Sequence, residues 1–188
     1  MEIQHQHTNQ LLERCKKADS NAQMQVYKAY YKAMYNTSFR ILKDGFEAED
    51  IMQEAFLTAF TKLDSFKGEV TFGAWLKRIV INKSLTQLKK NNRYQEVKMN
   101  VIPSQEVEEE PIDYSSLEAK NVLEAVNGLK ENYRMVLTLN LIEGYDYEEI
   151  CEILGYTNEN VRTTISRAKK KLKQVLMLDN QNRSVYGK

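Results

Sequence analysis

The sequence predicts an all-α protein made of two small helical domains, and three observations lead to this fold class. Apolar residues recur at intervals of three and four along much of the 188-residue chain, which is the spacing of helices with one buried face. No sustained alternation of apolar and polar residues is present, and 7 Gly and 2 Pro are few for a turn-rich β fold. Both prolines lie in one acidic interval, which separates two groups of predicted helices.

Three helices are predicted in the N-terminal domain, which spans residues 11–95. The first covers about 22–42 and ends at Asp44-Gly45, and the second covers about 47–62. A loop over 64–71 precedes the third helix, which runs into a basic patch at Lys89–Arg93. The second helix carries a continuous apolar stripe that predicts its buried face: Ala48, Ile51, Met52, Ala55, Phe56, Ala59, Phe60 and Leu63.

A change in composition over residues 96–116 predicts a flexible acidic linker. Residues 96–118 contain seven Asp or Glu and one Lys, whereas residues 11–95 contain 15 Lys or Arg and nine Asp or Glu. Such a segment is too polar to form a packed core. The C-terminal domain is expected over 117–178, with four helical segments at about 117–127, 131–142, 146–154 and 158–177.

The last two segments have the lengths, and the cap and turn residues, of a DNA-binding helix-turn-helix. Asp146 and Glu149 have the spacing of a capping box, and Gly155 supplies the turn before a second helix near Asn158. Residues 161–173 contain six Lys or Arg and no acid, which favours DNA contact over a solvated amphipathic helix. The candidate DNA-binding residues on its polar side are Arg162, Thr163, Ser166, Arg167, Lys169, Lys170 and Lys171.

Two surfaces of opposite charge are predicted in the N-terminal domain. The outward face of the second helix carries Asp50, Gln53, Glu54 and Leu57, which suit the docking of a basic partner, although a solvated face has the same spacing. Residues 76–93 contain cations and no carboxylate, and cations next to aromatic rings suit melted DNA. The candidates for that role are Phe66, Lys67, Phe72, Lys77, Arg78, Asn82, Lys83, Lys89, Lys90 and Arg93. A core position is the alternative for Phe72 and Trp75, and we favour it for Trp75.

From about residue 11 to residue 177, the chain resembles the extracytoplasmic-function group of bacterial sigma factors, within the sigma-70 family. Glu47–Phe56 is similar to the polymerase-binding helix of that group. Leu63–Ile79, with Asn82 and Lys83 after it, is similar to the promoter-melting segment and the helix that reads the minus-ten element. Gly144–Ala168 is similar to the domain that reads the minus-thirty-five element.

The resemblance implies partners and roles. Asp50, Gln53 and Glu54 would contact core RNA polymerase, and Asn82 with the loop around Phe66–Phe72 would hold a flipped minus-ten base. The outward residues of the second helix of the helix-turn-helix would enter the major groove of promoter DNA. Thr164 departs from the basic residue that many relatives have there, so one phosphate contact is expected to be missing. The resemblance also implies an anti-sigma partner, whose identity no residue specifies.

Two other classes of protein, a DNA-binding regulator and an enzyme, fit the sequence less well. A helix-turn-helix regulator that binds duplex DNA without polymerase is the alternative, and the acidic face of the N-terminal domain argues against it. An enzyme is not expected, because no phosphate-binding, dinucleotide-binding or serine-hydrolase motif is present. No metal site or cofactor is expected, and His5 and His7 are interpreted as part of a polar N-terminal tail. Cys15 and Cys151 are expected to be free thiols, and a cytoplasmic protein without membrane insertion is predicted.

Overall fold

The fold is seen in a computed structural model, which describes residues 2–97 and 117–186, with side chains over 8–93 and 119–178. Every regular element within these ranges is helical, so the predicted all-α class is confirmed. Two compact units are present, divided between Val107 and Glu108. Residues 98–116, which hold most of the predicted acidic linker, lie outside the described ranges. None of the described helices is long and apolar enough to cross a membrane.

The N-terminal unit contains α1 (Glu2–Lys16), α2 (Ser20–Leu42), α3 (Gly45–Thr61), a 3₁₀ turn (Leu63–Ser65) and α4 (Phe72–Val97). The central helix is α2, which packs against the other three helices. Its N-terminus is capped by the Asp19 carboxylate, which accepts hydrogen bonds from the N–H groups of Asn21 and Ala22.

The junction between α2 and α3 differs from the sequence prediction. The residue that ends α2 is Lys43, which adopts a left-handed conformation with φ of 61°, so Asp44-Gly45 is not the stop signal. Asp44 instead caps α3, because its carboxylate accepts a hydrogen bond of 2.8 Å from the N–H of Glu47. Gly45 is therefore the first residue of α3.

Helix α1 was not predicted, since the residues before 11 were interpreted as a polar tail. The helix extends over that segment, His5 and His7 included. Leu12 and Cys15, one helical turn apart, are each 3% exposed and belong to the core of the unit. Packing of this short apolar edge explains a helix whose remaining residues are mostly polar.

The core of the N-terminal unit lies between α2, α3 and α4. The apolar stripe predicted on α3 is buried, except that Phe60 is partly exposed. Leu76 and Val80 of α4 and Val26 and Met34 of α2 complete this core. One polar pair crosses it: the hydroxyls of Ser38 and Ser84 are 3.0 Å apart, and the Ser84 hydroxyl also bonds the carbonyl of Val80.

The C-terminal unit contains α5 (Leu117–Asn127), α6 (Glu131–Leu137), a π-helical turn (Thr138–Ile142), α7 (Tyr147–Leu154) and α8 (Asn158–Tyr186). All four predicted segments are present, but the second continues as a π turn and the last extends to Tyr186 rather than 177. Helix α4 likewise ends at Val97, two residues beyond the boundary predicted for the N-terminal domain. Val126, Leu137, Leu139, Ile150 and Ile165 are fully buried and hold α8 against α5, α6 and α7.

Candidate functional site

The local geometry of the helix-turn-helix follows from three residues. Asp146 and Glu149 form the predicted capping box, in which each carboxylate accepts a hydrogen bond from the other residue's N–H, at 2.8 and 2.9 Å. Gly155 ends α7 with φ of 70°, a conformation that glycine adopts without steric cost. The start of α7 and the turn that follows it are thus set by local sequence.

Helix α8 presents one buried side and one polar side. Val161, Ile165, Ala168 and Leu172 are buried. All seven candidate DNA-binding residues, Arg162, Thr163, Ser166, Arg167, Lys169, Lys170 and Lys171, are exposed. The polar side is therefore available to a ligand, and its role in DNA binding remains a prediction.

The first two turns of α8 contain two side-chain pairs that sequence reasoning missed. The Nε of Arg162 donates a 2.6 Å hydrogen bond to the Oδ1 of Asn158, and its guanidinium lies 5.9 Å from the ring centroid of Tyr147. The Thr164 hydroxyl donates to the Oδ1 of Asn160 at 3.0 Å. Both pairs are four residues apart, a spacing at which helical side chains meet, and this was the available sequence signal.

The acidic face of α3 is exposed as expected. Asp50, Gln53 and Glu54 are exposed, and Leu57 is 68% exposed. Sequence reasoning missed Phe46, which is 81% exposed in the first turn of the same helix. Its spacing of four from Asp50 places it along the same face.

Polar bridges join α3 to α4. The Nζ of Lys83 lies 3.1 Å from the Oε2 of Glu54, and the Glu47 carboxylate accepts hydrogen bonds from Gln87 at 3.2 Å and from Asn91 at 2.7 Å. A residue predicted to bind DNA, Lys83, is thus paired with a residue predicted to bind polymerase. The two candidate surfaces share an edge.

An aromatic cluster underlies the loop before α4 and corrects one prediction. Phe72 is 3% exposed and belongs to the core, so it does not face DNA as predicted, because its ring is enclosed by neighbouring rings. Phe66 and Trp75 pack against it at centroid distances of 5.8 Å each, and both are partly buried. Sequence reasoning missed Tyr30 of α2, whose ring meets Phe72 edge-on at 5.5 Å.

The remaining minus-ten candidates are divided by exposure. Lys67, Asn82, Lys89, Lys90 and Arg93 are exposed, whereas Lys77, Arg78 and Lys83 are half-buried. The Asn82 side chain projects from a helix that carries no carboxylate up to Arg93. Asn82 therefore remains available for a base, and its role remains a prediction.

Cys15 and Cys151 are both free, as expected, and burial raises the pKa of the Cys15 thiol. No group of three His, Cys, Asp or Glu that could hold a metal is present among the described residues.

Comparison with known proteins identifies the family. Residues 26–94 match the family model of sigma-70 region 2, and residues 119–172 match that of sigma-70 region 4. The RNA polymerase sigma factor YlaC of Bacillus subtilis is 30% identical over 153 residues, which cover 79% of this chain and 88% of YlaC. The chain belongs to the sigma-70 family of RNA polymerase sigma factors.

Further similarities place this sigma factor in the extracytoplasmic-function group. The factor SigW of B. subtilis, which carries that designation, is 29% identical over 178 residues, covering 88% of this chain and 94% of SigW. A solved structure of the sigma factor RpoE in complex with the anti-sigma factor NepR, from Bartonella quintana, matches with a TM-score of 0.64 and 26% identity. The match covers 83% of this chain and 97% of RpoE. In this sigma factor, the region 2 match includes α3 and most of α4, and the region 4 match includes α7 and the seven candidate DNA-binding residues of α8.

Proposed function

We propose that three surfaces of this sigma factor bind three different partners: α3 binds core RNA polymerase, α4 holds melted minus-ten DNA, and α8 reads the minus-thirty-five element. These roles correspond to domains over 11–95 and 117–178 that are joined by the segment 96–116. The observation that carries the proposal is the presence of exposed faces of opposite charge on adjacent helices, α3 and α4, in a chain of this family. The acidic face of α3 suits a partner with basic groups, and the basic face of α4 beside it suits a polyanion.

The polymerase-binding surface consists of Asp50, Gln53, Glu54 and Leu57. Two carboxylates and an amide lie within the two turns before an apolar side chain that is 68% exposed, an arrangement that offers charge-assisted hydrogen bonds next to an apolar anchor. Opposite charge on the partner raises the association rate and selects against acidic partners.

The minus-ten surface consists of exposed groups at the start and along the length of α4. Asn82 offers an NH₂ group with two donors and a carbonyl acceptor to the edge of an unstacked base, and Lys67, Lys89, Lys90 and Arg93 offer charge to phosphates. The half-buried Lys77, Arg78 and Lys83 border this set. Phe66 lines the loop, and the buried Phe72 supports it from beneath instead of contacting DNA.

The minus-thirty-five surface is the polar side of α8. Arg162, Thr163, Ser166 and Arg167 lie toward base edges, because the N-terminal part of a recognition helix enters the major groove. Lys170 lies on the same outward side, and Lys169 and Lys171, on its flanks, serve the phosphates. The chain is proposed to act in the cytoplasm, without catalytic activity or a cofactor, and to assist the chemistry of the polymerase.

An anti-sigma factor is the proposed regulatory partner. The solved relative from B. quintana is bound to one, and a surface that docks on polymerase is the surface whose occlusion silences a sigma factor. A helix-turn-helix regulator that acts without polymerase is the competing function, and it gives no role to the acidic face of α3.

The test is capture of the full-length chain by core polymerase, followed by transcription from a promoter library. Asp50→Lys is expected to weaken capture by more than tenfold, since reversing a desolvated interface charge costs at least ~2 kcal/mol, while helicity is unchanged. Glu13→Lys is the matched control, because it makes the same charge change on the exposed side of α1. Equal capture of Asp50→Lys, Glu13→Lys and wild-type chains would reject the α3 surface, and failure of the wild-type chain to support transcription would reject the wider proposal.

A further inference from the structure

The guanidinium of Arg162 is held by two contacts within the protein. Its Nε donates to the Oδ1 of Asn158 at 2.6 Å, and the carbon of its guanidinium lies 5.9 Å from the centroid of the Tyr147 ring. Asn158 is the first residue of α8 and Tyr147 is the first residue of α7. A side chain with four rotatable bonds is thus restrained by groups from both helices of the helix-turn-helix.

The atoms used by these restraints matter for recognition. Arginine has five N–H donors in a rigid fork, and only the Nε donor is engaged by Asn158. A bidentate arginine contact to O6 and N7 of guanine is the commonest specific contact with DNA, and the two terminal nitrogens can make it. The hydrogen bond to Asn158 therefore does not occupy the two terminal nitrogens.

We propose that Asn158 and Tyr147 are positioning residues that preorient Arg162 for reading a base of the minus-thirty-five element. The proposal rests on the proposed role of α8 and adds two residues to it. Fixing the arginine beforehand reduces the side-chain entropy lost on binding, and it makes a correctly placed guanine more favourable than any other base. Neither Asn158 nor Tyr147 is required to contact DNA for this effect.

The chain offers a matched comparison for Asn158. Asn160 lies in the same turn and makes the same kind of pair four residues on, but its partner is the Thr164 hydroxyl. Loss of Asn158 should therefore affect base preference through Arg162, and loss of Asn160 should not. For Tyr147, replacement by phenylalanine keeps the ring under the guanidinium, whereas replacement by leucine removes it.

The experiment uses the full-length chain in complex with core polymerase and a duplex promoter library randomised across the upstream element. Arg162→Ala is expected to lower the preference at one position by about five- to a hundredfold. Asn158→Ala should lower the preference at that same position by about two- to tenfold, the scale of one exposed hydrogen bond. Tyr147→Leu should act in the same direction, Tyr147→Phe should retain the wild-type preference, and Asn160→Ala should leave that position unchanged.

A double mutant separates positioning from direct contact. In an Arg162→Ala background, Asn158→Ala is expected to have no further effect on preference, and in either background it should leave the salt dependence of binding unchanged. A persistent effect of Asn158→Ala without Arg162, or an unchanged or sharper preference in Asn158→Ala alone, would overturn the proposal. If Arg162→Ala itself leaves every position unchanged, the proposed role of α8 in base reading fails, which is a distinguishable result.

Discussion

Replacing Gly155 by alanine is expected to destabilise the helix-turn-helix by an amount that can be worked out from its geometry. Its φ of 70° and ψ of 30° lie in the left-handed region, where a residue with a Cβ is disfavoured by about 1–2 kcal/mol. A Cβ built at this position meets no heavy atom within 4 Å, so packing neither adds to this penalty nor offsets it. The unfolded chain also loses entropy, which opposes the effect by about 0.4–1 kcal/mol. The midpoints of these two ranges differ by about 0.8 kcal/mol, which is the net loss expected.

The same unit supplies the control. Gly128 follows α5 without a left-handed φ, and a Cβ there lies 3.7 Å from the carbonyl oxygen of Glu124, an ordinary contact. Gly128→Ala should therefore be neutral or stabilising by up to ~1 kcal/mol. The two variants make the same chemical change, so a difference between them isolates the backbone conformation at Gly155.

Amide hydrogen exchange of the full-length chain measures the effect within the C-terminal unit alone. Peptides from α7 and the first half of α8 should exchange about two- to tenfold faster in Gly155→Ala, and no faster than wild type in Gly128→Ala. Gly155→Asn should fall between Gly155→Ala and wild type, because asparagine tolerates this conformation better than alanine. Equal exchange in Gly155→Ala and Gly128→Ala would show that the left-handed turn does not limit the stability of this motif.

Three further predictions concern the N-terminal unit. Asn82→Ala should change the preferred minus-ten base in promoter-library selections with little change in polymerase capture, and an unaltered preference would remove its base-reading role. Gly73→Ala places a Cβ 2.9 Å from Cε1 of Tyr30 and should lower the free energy of unfolding by about 1–3 kcal/mol. The loss should be smaller in a Tyr30→Leu background, which a double-mutant cycle measures from denaturation curves followed by Trp75 fluorescence. The pKa of Asp19 is lowered, first by its hydrogen bond from the Ala22 N–H, so its contribution to stability is present above about pH 4 and lost as pH falls through the lower folded pKa. The stability difference between wild type and Asp19→Asn should shrink over that acidic range, and a constant difference would contradict the assignment.

The elements that could be predicted from sequence are those set by neighbours in the chain. The buried stripe of α3 and the capping box between Asp146 and Glu149 depend on spacings of three and four residues, and both are present. The exposed cations of α8 follow from the same periodicity, since Val161 and Ile165 fix the buried side. Local spacing therefore predicted the helix-turn-helix and its outward face.

The features that were missed depend on contacts between distant segments. Helix α1 is held by Leu12 and Cys15 against the core, which a polar sequence of this length does not reveal. Phe72 was predicted to face DNA because it is next to a basic loop, yet rings from α2, the loop and α4 enclose it. Phe46 is exposed in spite of its size, and its spacing of four from Asp50, which places it along the exposed face of α3, was the available sequence signal.

The pairing of Glu54 with Lys83 affects how the acidic face can be probed. The two side chains are 3.1 Å apart, with exposed fractions of 60% and 29%. Such an exposed pair contributes roughly 0–1 kcal/mol to stability, so its rupture leaves the fold intact but frees the lysine. Charge reversal at Glu54 would therefore change the proposed polymerase surface and repel a proposed DNA-binding residue at the same time. Asp50 has the same charge on the same face and lies one turn before Glu54. A loss of polymerase capture in Asp50→Lys can therefore be assigned to docking. The same loss in Glu54→Lys cannot.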